Sequence, residues 1–344
     1  MLDNQLHTAI NHCIANHIPF VAYRFPGCEP VFMADDGFSP LIDDKQFAIN
    51  NWNTGSNANI TLRNRLSAEA VLSLGEQSVT DAELPAATDR ERYLRRVASL
   101  IEELKTTGGK TVIARTATGT LPQSPANCFA ALIEAMPLNF CHIYYTPSTD
   151  AWMGATPEVL LDAFDRKYAT MALAGTRPAG SNGPWDEKNM REQQMVTDFI
   201  VDNLRPLSAN TEVSNKITLP SGKIEHICTR IKGSLRPEVS VNEVLDRLSP
   251  TPAVAGLPRD ISLSRIDRIE NFSRSCYSGY IAVVQGVTVS AYVNLRCLQF
   301  TADGRYCIYA GGGITAQSDP QSEWNETTAK INSILSILTS KSNE

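Results

Sequence analysis

The 344-residue chain is 42% apolar, 20% charged and 7% aromatic, an ordinary globular composition that excludes disordered, collagenous and disulfide-scaffold proteins. Its 37 acidic side chains against 31 Lys and Arg give a net charge of −6, so no general basic field exists to hold DNA or RNA. No stretch reaches the ~20 apolar residues of a membrane helix, and Met1-Leu-Asp-Asn-Gln-Leu-His7 lacks the basic and apolar regions of a secretory signal; a soluble cytoplasmic protein is expected.

At roughly 150 residues per domain, this length fits two domains or one large continuous core. Eight cysteines (Cys13, Cys28, Cys128, Cys141, Cys228, Cys276, Cys297, Cys307) lie far apart, with no Cys-x-x-Cys pair. They read as reduced thiols packed as small apolar residues rather than as zinc ligands.

In chain order, residues 1–85 read as a helix over 2–14 and short strands over 20–25 and 58–62 among Asn- and Gly-rich loops. Thr88-Asp-Arg-Glu91 is a capping box opening an amphipathic helix, with Tyr93, Val97, Leu100, Ile101 and Leu104 at helical spacing and Gly108-Gly109 closing it. A strand over 111–116, a helix over 125–136, a strand over 142–146 and a hairpin of 158–164 with 168–174 follow, then a long helix from Asp186 to about Leu204. The second half adds strands near Ile217 and over 224–231, helices over 241–248 and near 261–272, and strands over 280–285, 288–300 and 306–310. A closing helix starts at Asp319-Pro320. Strands come in consecutive runs rather than in strict βαβ alternation, so an antiparallel α+β fold is expected over a doubly wound sheet.

Several residues could carry chemistry, each with a plainer alternative. Gly109-Lys110-Thr111 lacks the upstream glycine of a phosphate loop, since position 104 is Leu. Lys110 is then either an exposed lysine at the mouth of a strand or, if buried, a candidate general base. Glu192 shares a helical face with Met195, Val196, Phe199 and Ile200; a carboxylate there has to be paired or hold a metal. Lys188, one turn earlier, offers an i,i+4 salt bridge. Glu323, Glu326 and Lys330 share one face of the last helix, by geometry alone a solvated charged face. Ala310-Gly-Gly-Gly-Ile314 is either a tight turn or backbone that a ligand can approach. Glu158, in Ala155-Thr-Pro-Glu-Val159, is either a strand-edge carboxylate or an acid with a raised pKa. His226 and Arg296, in strand-like segments, are either structural residues or carboxylate binders.

Taken together and in order, these segments resemble the chorismate-binding enzymes, which include isochorismate synthase, salicylate synthase, the anthranilate synthase large subunit and aminodeoxychorismate synthase. The resemblance runs from Thr88 to the end. It is carried by Lys110-Thr-Val-Ile-Ala-Arg115, Ala155-Thr-Pro-Glu158, Leu173-Ala-Gly-Thr-Arg-Pro178, Glu225-His226, Ser249-Pro-Thr-Pro-Ala-Val254, Arg296-Cys-Leu298, and Ala310-Gly-Gly-Gly-Ile-Thr-Ala-Gln-Ser-Asp-Pro320 through Glu323-Trp-Asn-Glu326 to Lys330.

The resemblance implies an α+β fold with large antiparallel sheets packed as a β-sandwich core with flanking helices, like that of the anthranilate synthase large subunit. It implies a single chorismate-binding domain over 1–344, with 1–85 contributing strands and 86–344 as the catalytic core. It further implies that Lys110 is the general base activating a water and Glu158 the general acid protonating the departing hydroxyl. Mg²⁺ would be held by Glu192 and Glu326 with Glu323 assisting. Arg296, Tyr277, Lys330 and the Gly311 backbone would take the enolpyruvyl carboxylate of chorismate, with Thr176 and His226 lining the ring site. A lysine at 110 and Ala174, where adduct-forming members carry a second lysine, are similar to the water-using members, so isochorismate synthase is expected and no glutaminase subunit. Salicylate synthase, which goes on to eliminate pyruvate, is the alternative, followed by a noncatalytic relative. Whether the product feeds menaquinone or a siderophore is open.

The chain departs from the family pattern at three places. Ser275 stands where the family has Gly before the site tyrosine, Ala255 where a first Gly follows Pro-Ala-Val, and Asn189 where an Asp precedes the first metal Glu, a possible supporting acid.

Overall fold

A computed structural model describes residues 2–52, 59–77, 83–221 and 224–340. Asp3 accepts the Leu6 N–H to open α1 (Asn4–Ala15), which is followed by β1 (Phe20–Arg24), β2 (Val31–Ala34), β3 (Gln46–Asn50) and β4 (Ile60–Arg63). Of these, α1, β1 and β4 fall where the sequence places them, although the expected start of β4 at Ala58 lies outside the described residues. Next comes α2 (Arg90–Thr107), capped one residue later than expected: Asp89 accepts the Arg92 N–H at 2.7 Å. The Thr88 hydroxyl is not available for a capping box because it accepts the Thr116 N–H of β5 (Lys110–Thr120) at 2.9 Å.

The chain continues through α3 (Pro125–Ala135), β6 (Phe140–Thr146), β7 (Asp150–Thr156), β8 (Val159–Phe164), β9 (Lys167–Pro178) and α4 (Glu187–Leu204). Then come β10 (Ser208–Val213), β11 (Ile217–Ser221), β12 (Ile224–Leu235), α5 (Val241–Leu248), β13 (Gly256–Leu257) and α6 (Arg259–Ile269). The last elements are β14 (Tyr280–Gln285), β15 (Thr288–Val293), β16 (Cys297–Phe300), β17 (Arg305–Ile314) and α7 (Pro320–Leu338). The single strand expected over 288–300 is thus two strands. They part at Arg296, whose φ of 52° is left-handed and breaks the extended run.

The strands form two antiparallel sheets. One is eight-stranded, in the order β13-β5-β17-β16-β7-β6-β1-β2; the other is nine-stranded, in the order β10-β12-β9-β8-β15-β14-β3-β4 with β11 also on β12. The first residues therefore supply β1 and β2 to one sheet and β3 and β4 to the other. The chain passes between sheets at Pro157–Glu158, from β7 to β8, and again at 294–296, from β15 to β16. These crossovers lie side by side: the Val293 N–H donates to the Glu158 carbonyl at 3.0 Å and the Ala155 N–H to the Arg296 carbonyl at 3.2 Å.

Between the sheets lies an aromatic core that includes Tyr23, Phe47, Phe140, Trp152, Tyr277, Tyr292 and Tyr309. Phe140 stacks on Tyr292 with ring centroids 4.3 Å apart. Helices α1, α3 and α7 cover the outer face of the first sheet, α4 and α5 cover the second, and α2 and α6 close the β5 end. Seven of the eight cysteines are buried and all are free, with Cys28 the exposed one. Among the described residues no helix is long and apolar enough to cross a membrane.

Candidate active site

One cavity of about 140 Å³ opens where the two crossovers, the start of β5, the ends of β9 and β12, the glycines of β17 and the first turns of α4 and α7 converge. Lys110, Glu158, Thr176, Glu192, His226, Tyr277, Arg296, Gly311, Glu323, Glu326 and Lys330 all line it. The sequence scatters these residues over six elements and the loops between them, and the fold brings every one together.

Lys110 is the first residue of β5 and is buried. Its Nζ donates to Glu192 Oε1 at 2.5 Å. The helical pair Lys188–Glu192 suggested by spacing is absent, and Lys188 instead reaches Glu323 Oε1 at 3.8 Å. Glu192 itself sits at the margin of the apolar stripe of α4 rather than on it. The stripe centre is Gln193, Val196, Thr197, Ile200 and Leu204, and Gln193 Nε2 ties the helix to β12 by donating to Thr229 Oγ1 at 2.7 Å.

Glu158 is buried at the β7–β8 crossover. Burial pushes its carboxyl up from the usual 4.5 to about 7, with the Lys110 and Arg296 charges opposing only part of the shift. Such a group is a proton donor near neutrality. The other crossover puts Arg296 into the same cavity.

His226 Nδ1 lies 2.9 Å from the Gly175 carbonyl and 3.1 Å from Thr176 Oγ1. A carbonyl can only accept, so Nδ1 carries the hydrogen and Nε2 is left as the ring's acceptor. Burial and the Arg296 charge lower the imidazole to about 4, which keeps it neutral. Thr176 and His226 face each other across β9 and β12, where the register shifts and Gly175, with φ 74°, is the extra residue.

On α7, Glu326 Oε1 accepts from Lys330 Nζ at 2.7 Å, and the same ammonium donates to the Gly311 carbonyl at 2.9 Å. The Lys330 charge holds Glu326 below the usual carboxylate range. Glu323 moves the other way, raised by burial and then by the Glu326 charge. Its Oε1 accepts from Ser318 Oγ at 2.7 Å, and its Oε2 is buried with no hydrogen-bond partner. The free Oε2 of Glu323 thus stands beside a second carboxylate with lone pairs that a cation would satisfy.

The three glycines at 311–313 are not a turn. They lie in β17, paired with Ala114, Ile113 and Val112 of β5. A Cβ on Gly311 would stand 3.0 Å from Tyr277 OH, one on Gly312 2.8 Å from Glu323 Oε2, and one on Gly313 2.5 Å from Lys110 Cε. Each glycine leaves room for a different side chain of the site.

The chorismate binding enzyme family model matches residues 41–336. The chain belongs to the chorismate-binding enzyme family. The match begins well ahead of Thr88, so it takes in β3 and β4 as well as the motif-bearing segment. The chain is 31% identical over 245 residues to isochorismate synthase MenF of Haemophilus influenzae and 33% identical over 242 residues to that of Escherichia coli K12, each alignment covering 67% of this chain and 56% of the relative. It thus spans about half the length of the curated relatives it matches. The solved structure of MenF, the menaquinone-specific isochorismate synthase from Escherichia coli, superposes with a TM-score of 0.79 over 96% of this chain and 91% of that one, at 21% identity; this likeness shows the fold.

Around this cavity the departures have local explanations. Ser275 has φ 48°, a left-handed backbone that glycine adopts freely and serine does not. Ala255 is fully buried, while the strained position belongs to Gly256, with φ 117° and its would-be Cβ against the Lys110 carbonyl. Asn189 receives a hydrogen bond from the Thr176 N–H at 3.3 Å and donates to Asp186 Oδ2 at 2.6 Å, joining β9 to the cap of α4.

One buried ion pair beside the cavity escapes sequence reasoning. Arg274, 1% exposed, donates to both Glu270 oxygens, to the Val254 carbonyl and to the Val112 carbonyl, at 2.6–2.8 Å. Glu270 Oε1 also accepts the Ala114 N–H at 2.7 Å. The pair fastens β5 to the 249–256 loop. Its only sequence signal was an i,i+4 spacing of opposite charges, which surface helices show equally often. Lys188, paired with Glu192 by its spacing, instead has its partner Glu323 on another helix.

Proposed function

We propose that this cavity is the site of an isochorismate synthase, converting chorismate to isochorismate with Mg²⁺ as cofactor. One water adds at C2 of the ring, the double bonds shift allylically, and the C4 hydroxyl leaves as a second water. Substrate and product are isomers, and the reaction consumes no oxidant or reductant.

The reading rests above all on the buried Lys110 and the buried, protonatable Glu158 meeting in one cavity. Lys110 Nζ takes the proton from the attacking water. It does so as the neutral amine, its ammonium form having released one proton to solvent; the amine keeps two N–H groups, so it can go on donating to Glu192 while its lone pair faces the water. Glu158 gives its proton to the departing C4 oxygen. Arg296, Tyr277, Lys330 and the Gly311 backbone bind the enolpyruvyl carboxylate, and Thr176 and His226 line the ring. A net acidic protein can bind a dianion because the cations converge locally. Glu192, Glu323 and Glu326 are the residues that would hold Mg²⁺, and the orphaned Oε2 of Glu323 fits that role. When bound, the ion supplies positive charge for the ring carboxylate. Relatives named isochorismate synthase at 31% and 33% identity support the same reaction.

The test is to incubate the purified protein with chorismate, with and without Mg²⁺, and to separate the products by liquid chromatography with mass detection. An isobaric product that forms only with Mg²⁺ is expected. Salicylate plus pyruvate would replace the reading with a salicylate synthase, and unchanged chorismate under both conditions would remove the enzymatic reading.

A further inference from the structure

Each of the three carboxylates proposed to hold Mg²⁺ has a lysine beside it. Lys110 bonds Glu192 and Lys330 bonds Glu326, and both lysines act in the proposed reaction. The third, Lys188, has no part in it. It lies in the first turn of α4 at the cavity edge, with its side chain 48% exposed, and its Nζ stands 3.8 Å from Oε1 of the buried Glu323.

That separation is too long for a hydrogen bond. Lys188 therefore offsets charge at Glu323 without filling its lone pairs: Oε1 is bonded by Ser318, and Oε2 has no partner. The Glu326 charge is felt at Glu323, and the Lys188 charge is felt at both. Among the described residues no three acidic, His or Cys side chains already stand together as an ion-holding group; the carboxylates are shared out among lysines instead.

We infer that Lys188 competes with the divalent cation for the Glu323–Glu326 pair, standing in for its charge and withdrawing into solvent when the ion binds. The inference rests on the reading that Glu323 and Glu326 hold the cation. The geometry permits the exchange because the lysine approaches from the solvent side on a long, flexible stem with no hydrogen bond to break. A divalent ion can replace it outright, bringing two charges and direct coordination of the free oxygen. Lys188 then lowers the affinity for the ion while keeping two adjacent carboxylates from repelling each other.

The experiment is a Mn²⁺ titration of the full chain followed by electron paramagnetic resonance, without chorismate and at low salt, Mn²⁺ sharing the oxygen-ligand preference of Mg²⁺. Lys188→Met is expected to tighten Mn²⁺ binding by about tenfold, the order of magnitude for removing one charge near a partly exposed site. Lys188→Arg keeps the charge and should bind as wild type does. The gain should shrink in roughly 1 M KCl, where the screening length is about 3 Å. Structural damage would weaken binding, so the direction of the change separates the two causes. Unchanged or weaker binding in Lys188→Met overturns the competition. Glu323→Gln should lose most Mn²⁺ binding; if it binds as wild type does, the cation reading falls and the competition with it.

Discussion

At the scale of single residues, Glu158 shows a site working against the stability of its own fold. Its folded pKa of about 7 lies above the ordinary 4.5, so the folded chain holds a proton that the unfolded chain releases. Stability from this group is complete below about pH 4.5 and is lost as pH rises through 7. Glu158→Gln removes the charge that has to be buried, and the variant should be more stable than wild type at pH 8.5 by about 3 kcal/mol and equal to it near pH 4.5. Thermal unfolding at the two pH values checks this. In the proposed reaction the same proton goes to the leaving hydroxyl, so kcat/KM of the wild type should fall as pH rises through about 7. Glu158→Gln and Lys110→Ala should each lose 10²–10⁴-fold in turnover. Near wild-type rates from either folded variant would remove its residue from the chemistry.

At the scale of elements, β17 is a strand whose side chains have been removed to admit others. Gly313→Ala puts a methyl group 2.5 Å from Lys110 Cε, and a displacement of this order in a reacting group lowers rates by about 10²-fold. Steady-state kinetics of Gly313→Ala should show that loss, while Gly75→Ala, with open space around its would-be Cβ, should behave as wild type. The glycine run was legible as either a tight turn or backbone that a ligand can approach. That the approaching groups are the chain's own Lys110, Tyr277 and Glu323 was not, because strand pairing sets it. Helices α4, α5 and α7 were legible from their caps and apolar period. In contrast, β7 is buried on both faces and shows no alternation, and β2, β3 and β10 are only four to six residues long. The β15–β16 break was hidden because an arginine, not a glycine or proline, carries the left-handed turn. The site residues themselves were legible through ordered motifs. Their partners were not, since Glu192 pairs with Lys110 from a distant strand rather than with its helical neighbour.

At the scale of the molecule, two sheets, their aromatic core and the outer helices form a frame that Arg274 and Glu270 fasten at one end. Both side chains are nearly fully buried and paired, and the Arg274 guanidinium also lies over the Trp52 ring at 4.2 Å. Breaking such a pair from one side leaves an uncompensated charge, so Arg274→Met should destabilise the fold by about 3–5 kcal/mol, measured by urea unfolding. Loss within error of zero would show that water or another group reaches Glu270. The adjacent crossovers divide the site into two halves of different character. Backbone hydrogen bonds from Val293 to Glu158 and from Ala155 to Arg296 tie the segment carrying Glu158 to the segment carrying Arg296, so the two side chains keep a constant spacing as one rigid piece. The carboxylates and lysines of α4 and α7 hang from helices by long side chains. Adjustment to a substrate's shape therefore falls to the helical half, and the spacing between Glu158 and Arg296 acts as a fixed ruler against which any bound molecule is measured.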